Sequence, residues 1–457
     1  MTDHRFDLVV LGGGSGGYAA ALRAAELGKS VALVEKDKVG GTCLHRGCVP
    51  TKAMLHAAEV ADTARSAAEV GVSATLQGID VPAVQAYREG IVTKKFRGLE
   101  GLIVARGITV VPGEGRLEPG PAVRVGDDRY VGSDVIVATG SYTRTLPGLE
   151  IGGRILSSDQ ALTLAEVPGR VIVLGGGVIG AEFASVWRSF GSEVTIIEAL
   201  DHLVPAEDLS SSSQLERAFR KRGIRFLLGT RFASATQDEN HVVVSLEDGT
   251  ALEADYLLVA VGRGPATAGL GLEESGVVLE RGFVRTDDDL RTDAAHVWAV
   301  GDIVAGLQLA HRGFQQGIFV AERIAGRTPA HVPEHHIPRV TYSHPEVASV
   351  GLTEAQAVAQ HGAERVATTQ YNLAGNARSE ILGTAGIAKV VRLVDGPVIG
   401  VHLVGDRVGE LITEAQLVVG WEAHPEDVAP HIHAHPTQSE ALGEAFLSLA
   451  GSPLHTL

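Results

Sequence analysis

Phe6-Asp7-Leu8-Val9-Val10-Leu11-Gly12-Gly13-Gly14-Ser15-Gly16-Gly17 is an apolar run that stops at a cluster of glycines. The run reads as a buried strand, and Gly12, Gly14 and Gly17 stand in the frame G-x-G-x-x-G. An Ala-rich helix follows, from Tyr18 to about Leu27, and then a second strand, Val31 to Val34, that ends at Glu35. A lone glycine frame is a weak signal. Strand, glycines, helix, strand and terminal acid in that order form a dinucleotide fingerprint: glycines let the backbone approach a pyrophosphate at the helix N-terminus, and the acid holds ribose hydroxyls.

The pattern recurs. Arg170 to Leu174 reads as a strand, Gly175, Gly177 and Gly180 repeat the frame, a helix spans about Ala181 to Phe190, and the strand Val194 to Ile197 ends at Glu198. Glu35 follows Gly12 by 23 residues, and Glu198 follows Gly175 by 23. Unrelated glycine turns would not reproduce that spacing, so two dinucleotides are expected, each on its own doubly wound unit. Asp134 to Gly140 reads as a strand running into a glycine turn, and Asp255 to Gly262 echoes it after the second copy. Thr292 to Asp302 reads as a short strand ending in Gly-Asp. The acid suits a ribityl or ribose hydroxyl, or alternatively caps a helix beginning at Ile303.

Cys43 and Cys48, within Gly40-Gly41-Thr42-Cys43-Leu44-His45-Arg46-Gly47-Cys48-Val49-Pro50-Thr51-Lys52, are the only cysteines among 457 residues. In a regular helix, Cα atoms five positions apart lie roughly 8–9 Å from each other, whereas a disulfide needs about 7 Å or less. A bridge here therefore requires a distorted backbone. Gly47 permits it, and Pro50 is expected to remove an amide donor that a regular helix would use. So short a loop suits a disulfide that opens and closes better than a staple. Inert thiols, or half a metal site with His45 and His56, are the competing readings.

Composition narrows the setting. There are 39 basic and 55 acidic residues, a net charge of −16, which argues against nucleic-acid binding and favours basic protein partners. The N-terminus lacks a signal-peptide pattern, and no apolar run is long enough to span a membrane. A cytoplasmic location is expected, where a disulfide is more often catalytic than structural. From about Pro338 the glycine logic ends; strands (Ile387 to Val394, Val398 to Val404) alternate with a helical stretch (Glu410 to Glu422). The chain closes on Pro430-His431-Ile432-His433-Ala434-His435-Pro436-Thr437-Gln438-Ser439-Glu440, with a helix expected from Pro436. His431, His433 and His435 would share one face of an extended segment, as a metal site could use; the Pro-Thr-x-x-Glu context accounts for His435 without one, and no metal is expected.

Two dinucleotide units, a C-x4-C after the first, the stretch ending in Gly-Asp and a terminal His-Pro-Thr-x-x-Glu resemble the flavin-dependent pyridine nucleotide–disulfide oxidoreductases along the whole chain. The pattern is most similar to the branch that oxidises protein-bound dihydrolipoyl groups with NAD as the flavoprotein component of 2-oxo acid dehydrogenase complexes. His45-Arg46 depart from that branch's common residues, and could stabilise a thiolate. The resemblance implies an α/β chain of two Rossmann-like dinucleotide-binding domains and a C-terminal α+β dimerisation domain. The expected boundaries are 1–148 for FAD, completed by 267–337; 149–266 for NAD; and 338–457 for the interface.

The same resemblance implies a set of roles. Gly12, Gly14, Ser15, Gly17, Glu35, Lys52, Thr139, Gly140, Asp302 and Ala310 would hold FAD. Gly175, Gly177, Gly180, Glu198 and Gly262 would hold NAD. Glu198 with no following Arg favours NAD over NADP. Cys43 would meet substrate and Cys48 the flavin, Lys52 would pair with Glu182, and His435, oriented by Glu440, would be the base. A homodimer is implied, bound to lipoyl domains and to a basic docking module of the acyltransferase subunit. Alternatives are a reductase of glutathione-like or mycothiol-like disulfides and a mainly structural flavoprotein subunit. Mercuric reductase is disfavoured by the lack of a C-terminal cysteine pair, and a transhydrogenase by the presence of Cys43 and Cys48.

Overall fold

The computed structural model describes residues 2–455 and divides into two compact units. The first comprises Met1–Ala53, Pro82–Arg144 and Gly262–His331; the second comprises Met54–Val81, Thr145–Val261 and Val332–Leu457.

In the first unit the apolar runs Thr2–Leu11 and Val31–Glu35 pair in parallel, Leu8 opposite Val31 and Leu11 opposite Val34. The sheet runs Thr109–Pro112, Val31–Glu35, Thr2–Leu11, Asp128–Val137, then the antiparallel Ala122–Val125 and Gly115–Glu118, with Val297–Ala299 also on Asp128–Val137. Both faces of the parallel strands are buried: Leu8, Val10 and Ile136 face one core, and Val9, Leu11 and Val135 the other. This explains why they read as continuous apolar runs rather than alternating ones. The helices Ser15–Glu26 and Ala310–Ile324 cover one face. They cross closely because both carry glycine at the contact; a Cβ on Gly317 would stand 2.2 Å from the Gly16 carbonyl oxygen.

The second unit repeats the order. Arg225–Leu227, Glu193–Ile197, Arg170–Leu174, Tyr256–Val259 and Ile155–Leu156 form a parallel sheet. An antiparallel sheet of Phe232–Gln237, Val242–Leu246 and Ala251–Ala254 is added. Its C-terminal part is a five-stranded antiparallel sheet ordered Arg339–Thr341, Glu346–Gly351, Val398–Gly405, Ile387–Leu393, Val366–Asn372. The helices Val408–Gly420 and Glu440–Leu449 pack on it through Ile412, Ala415, Leu442 and Phe446. Among the described residues, no helix is long and apolar enough to cross a membrane.

Candidate functional site

The two glycine turns have the same geometry. Gly12 and Gly175 adopt φ of +104° and +109°, and a Cβ on either would lie 2.4 Å from a carbonyl oxygen, of Ala138 and Ala260 respectively. A Cβ on Gly17 would meet the Gly12 oxygen at 1.8 Å, and one on Gly180 the Gly175 oxygen at 1.9 Å. These glycines let each helix start directly against its turn. Gly14 and Gly177 differ: no protein atom lies within 4 Å of where a Cβ would stand. Each is the residue before its helix, and neither helix has a side-chain cap. Bare N–H groups at a helix start, beside a space that only glycine leaves open, fit a pyrophosphate. Ser15 is the first helical residue of the first copy.

The terminal acids also match. Glu35 Oε2 accepts the Gly13 N–H at 2.7 Å and Oε1 accepts the Asp37 N–H at 2.8 Å. Glu198, which is buried, accepts from Gly176 at 2.7 Å and from Leu200 at 2.8 Å. Each carboxylate is thereby fixed with lone pairs to spare for a diol.

Asp302 lies in the short turn Gly301–Ile303, and the following α-helix begins only at Ala310. The helix-cap alternative is thereby corrected: no side chain caps that turn, and Asp302 instead accepts the Ser141 hydroxyl at 2.5 Å. Arg263 donates to the Ser141 hydroxyl oxygen at 2.7 Å and to its carbonyl at 2.8 Å. Ser141 and Arg263 thus position Asp302, a role the sequence signalled only by their places just after Gly140 and Gly262. Thr139 donates to the Ala266 carbonyl at 2.8 Å, and Gly140 and Gly262 adopt φ of +76° and +103°. Gly262 belongs to the first unit.

The thiol pair sits across a helix break. Gly41–His45 is one short helix, Arg46 departs from helical geometry (φ −140°, ψ 10°), and Cys48–Ser66 is the next. The distortion required between the cysteines falls at Arg46-Gly47. Pro50 is a correction: it occupies the first turn of the second helix, where an N–H would have no intrahelical acceptor, so no bond is lost. Cys43 and Cys48 are thiols in hydrogen-bonding contact. That bond, burial and the charge on Cys48 push the Cys43 thiol well above its ordinary range, while Lys52 pulls the other way. Cys48 stands at a helix N-terminus, a position that favours a thiolate. Lys52 is a cation acting on Cys43; Arg46 reaches Asp37 at 3.4 Å, and His45 bonds the Val39 carbonyl at 2.9 Å with its ring edge-on to Phe96. His56 pairs with Glu59 at 3.1 Å.

In the second unit, Glu182 is buried and accepts the Tyr342 N–H at 3.0 Å. His435 Nδ1 lies 2.8 Å from Glu440 Oε1, and Glu440 Oε2 accepts the Thr437 N–H at 2.7 Å. Burial works against the charged Glu440, but the Thr437 N–H and His435 outweigh it and hold the carboxyl below the usual carboxylate range. The last helix begins at Glu440, not at Pro436. The Thr437 hydroxyl closes onto the Ala434 carbonyl at 2.6 Å, and Asn376 binds the Thr437 carbonyl at 2.9 Å, so side chains hold 434–439 as a loop. His433 bonds Glu414 at 2.7 Å, so His433 and His435 answer to different carboxylates. Among the described residues, no group of three or more His, Cys, Asp or Glu is arranged to hold a metal ion.

A chain with two dinucleotide cradles has two carriers between which to pass electrons, and the thiol pair gives those electrons a third station. That is the architecture of a dithiol–disulfide oxidoreductase. Residues 6–317 match the family described as pyridine nucleotide-disulphide oxidoreductase, and residues 337–446 match its dimerisation domain. The chain belongs to the pyridine nucleotide-disulphide oxidoreductase family, whose cofactors here are FAD and NAD. It is 40% identical over 471 residues to a dihydrolipoyl dehydrogenase of Bacillus subtilis (strain 168), covering 98% of this chain and 99% of the relative. It is 38% identical to the mitochondrial dihydrolipoyl dehydrogenase 1 of Arabidopsis thaliana, with 98% and 91% covered. Among solved structures, LpdA from Mycobacterium tuberculosis superposes with a TM-score of 0.90 at 29% identity, covering 98% of this chain and 100% of that one.

Proposed function

We propose that the chain oxidises protein-bound dihydrolipoyl groups to lipoyl groups and reduces NAD, as the flavoprotein component of 2-oxo acid dehydrogenase complexes. The observation that carries this reading is the thiol pair itself: Cys43 and Cys48 in contact across a helix break. The full-length likeness to dihydrolipoyl dehydrogenases supports the choice of dithiol.

The chain starts the cycle with a Cys43–Cys48 disulfide. A substrate thiol gives its proton to His435, and the thiolate attacks Cys43 Sγ. The Cys43–Cys48 bond breaks as the mixed disulfide forms, and Cys48 leaves as a thiolate beside the N-terminus of its helix and Lys52. The second substrate thiol attacks the substrate sulfur of the mixed disulfide, which closes the lipoyl ring; its proton passes to Cys43, which is released as a thiol. Glu440 holds His435 by its Nδ1, leaving Nε2 to face the thiol. FAD and NAD supply the electron and hydride chemistry that returns the dithiol to the disulfide. Gly12, Gly14, Ser15, Gly17, Glu35, Thr139, Gly140, Asp302 and Ala310 would hold FAD, with Lys52 near its reactive ring. Gly175, Gly177, Gly180, Glu198 and Gly262 would hold NAD.

The active form is a homodimer in which His435 serves the partner subunit's thiols, and its location is cytoplasmic. The lipoyl domain is the substrate carrier, and the net charge of −16 suits a basic docking module. The deciding measurement is a set of steady-state rates with dihydrolipoamide, glutathione disulfide and a mycothiol-like disulfide, each with both nicotinamide cofactors. Turnover concentrated on dihydrolipoamide with NAD is expected. A preference for either small disulfide would overturn the assignment.

A further inference from the structure

Each of the two glycine turns is braced by a later residue, and the two braces differ. In the first copy the Gly13 carbonyl accepts the N–H of Gly40 at 2.8 Å; in the second the Gly176 carbonyl accepts the N–H of Val204 at 2.8 Å. Gly40 has φ +109°, which glycine adopts freely. Val204 has φ +43° and is the one β-branched residue in the left-handed region among the described residues. A β-branched side chain is strained there. Leu203, beside it, presses on the same turn: a Cβ on Gly176 would stand 2.6 Å from Leu203 Cδ2. The Gly176 carbonyl and the Gly177 N–H belong to one planar trans peptide and point opposite ways. Tying the carbonyl to Val204 therefore fixes the direction of the N–H that leads into the helix.

Val204 is held from further along the chain. Register places Arg339, Ser349, His402 and Lys389 opposite one another on successive strands of the C-terminal sheet, so they form one row on one face. Asp208 accepts from Lys389 Nζ at 2.8 Å and from the Glu354 N–H at 3.0 Å. Glu207 pairs with Arg339 at 3.1 Å and accepts the Ser349 hydroxyl. Asp208 and Lys389 are both buried. Burial works against the charge on Asp208, but Lys389, the Ser210 hydroxyl and the Glu354 N–H outweigh it and hold the carboxyl well below the usual carboxylate range. Leu203 and Val204 share an apolar cluster with Val347, Ile387 and Val404, which lie on the same sheet face as the polar row. We propose that this row, through Lys389–Asp208 and Arg339–Glu207, is a latch that keeps Val204 in its strained conformation, and that Val204 is thereby a positioning residue for the pyrophosphate of NAD. The inference rests on the NAD reading of the second cradle.

The test is a double-mutant cycle in the holoenzyme, Lys389→Met with Val204→Gly. Lys389→Met opens the latch and lets Val204 leave the left-handed region. The KM for NAD should rise about tenfold, or about 1.4 kcal/mol, the order of one strained residue. Flavin content and the rate of flavin reduction by dihydrolipoamide should stay at wild-type values. Glycine at 204 adopts the same φ unaided, so Lys389→Met/Val204→Gly should have the KM for NAD of Val204→Gly alone. A second readout needs no nucleotide: by hydrogen exchange and mass spectrometry, residues 199–208 should exchange faster in Lys389→Met than in wild type. A role in stability alone would lower the melting temperature and leave the KM for NAD unchanged. That result, additive effects in the cycle, or unchanged exchange overturns the proposal. Asp208→Asn, which keeps an oxygen for Ser210, should shift the KM in the same direction and decides the matter if Lys389→Met does not fold; an unchanged KM there also overturns the latch. A wild-type holoenzyme that fails to bind NAD removes the reading of the cradle itself, whereas NAD-dependent turnover with both latch variants unshifted removes only the role of Val204.

Discussion

Gly177→Ala is the sharpest probe of the second cradle, because the fold does not need that glycine. Its φ is −74°, accessible to any residue, and a Cβ would meet no protein atom within 4 Å. A methyl there occupies space on the ligand side of the helix start. An N–H···O bond to phosphate needs about 2.9 Å, and a methyl at that rim holds the phosphate back by several tenths of an ångström. Losing one charged hydrogen bond, worth about 1.5–3 kcal/mol, raises the KM for NAD roughly 10- to 100-fold, at about 1.4 kcal/mol per tenfold. Flavin content and melting temperature should stay at wild-type values. Gly180→Ala is the contrasting control: its Cβ would sit 1.9 Å from the Gly175 oxygen, so it should lower the melting temperature as well. The assay is steady-state kinetics at varied NAD with flavin absorbance and thermal melting in parallel. A KM for NAD within twofold of wild type in Gly177→Ala would refute the cradle.

Cys43→Ser should leave a Cys48 thiolate beside oxidised flavin and give a long-wavelength absorption band without added reductant; Cys48→Ser should lack it, and the reverse pattern would exchange the two roles. A mixed dimer of Cys43→Ser and His435→Ala chains should regain roughly half the wild-type activity, since one of two reciprocal sites is then intact; no recovery after confirmed exchange would return the base to its own subunit. Glu346, pushed up from 4.5 to about 7 by burial, with Asp406, Glu410 and Glu59 adding, gives a stability effect of definite sign. Its folded form holds the proton more tightly, so that contribution is present below about pH 4.5 and is lost as pH rises through about 7. Glu346→Gln should therefore match wild type in melting at pH 4.5 and exceed it at pH 8, by at most about 3 kcal/mol; equal melting at both pH values would count against the buried carboxyl.

The parts of the fold that depend on local chain rules were legible in the sequence. Arg170–Leu174 reads as a strand because four apolar residues, Val171 to Leu174, meet a glycine turn, and the turn geometry follows from which glycines a neighbouring carbonyl crowds. The distorted connection between the cysteines was likewise required by their spacing. Contacts distant in sequence were not legible. Ser141 and Arg263 act on Asp302 from positions 161 and 39 residues away, and no periodicity announces a hydroxyl shared between them. The start of the last helix was misplaced because Pro436 suits a first helical turn by itself, whereas Glu440 and Asn376 hold Thr437 in a loop through side-chain bonds.

The carboxylate of Glu198, proposed above to hold NAD, is also a tie in the backbone, since it receives the N–H groups of Gly176 and Leu200. Redesigning the chain for a phosphorylated nicotinamide carrier is therefore more than a change of charge. Replacing Glu198 with a neutral or basic side chain strands two amide donors at the cradle's rim, at a cost of about 1–3 kcal/mol for each one left buried. A successful cofactor swap would need a second substitution that returns an acceptor to those amides before any new contact to the phosphate could be felt as affinity.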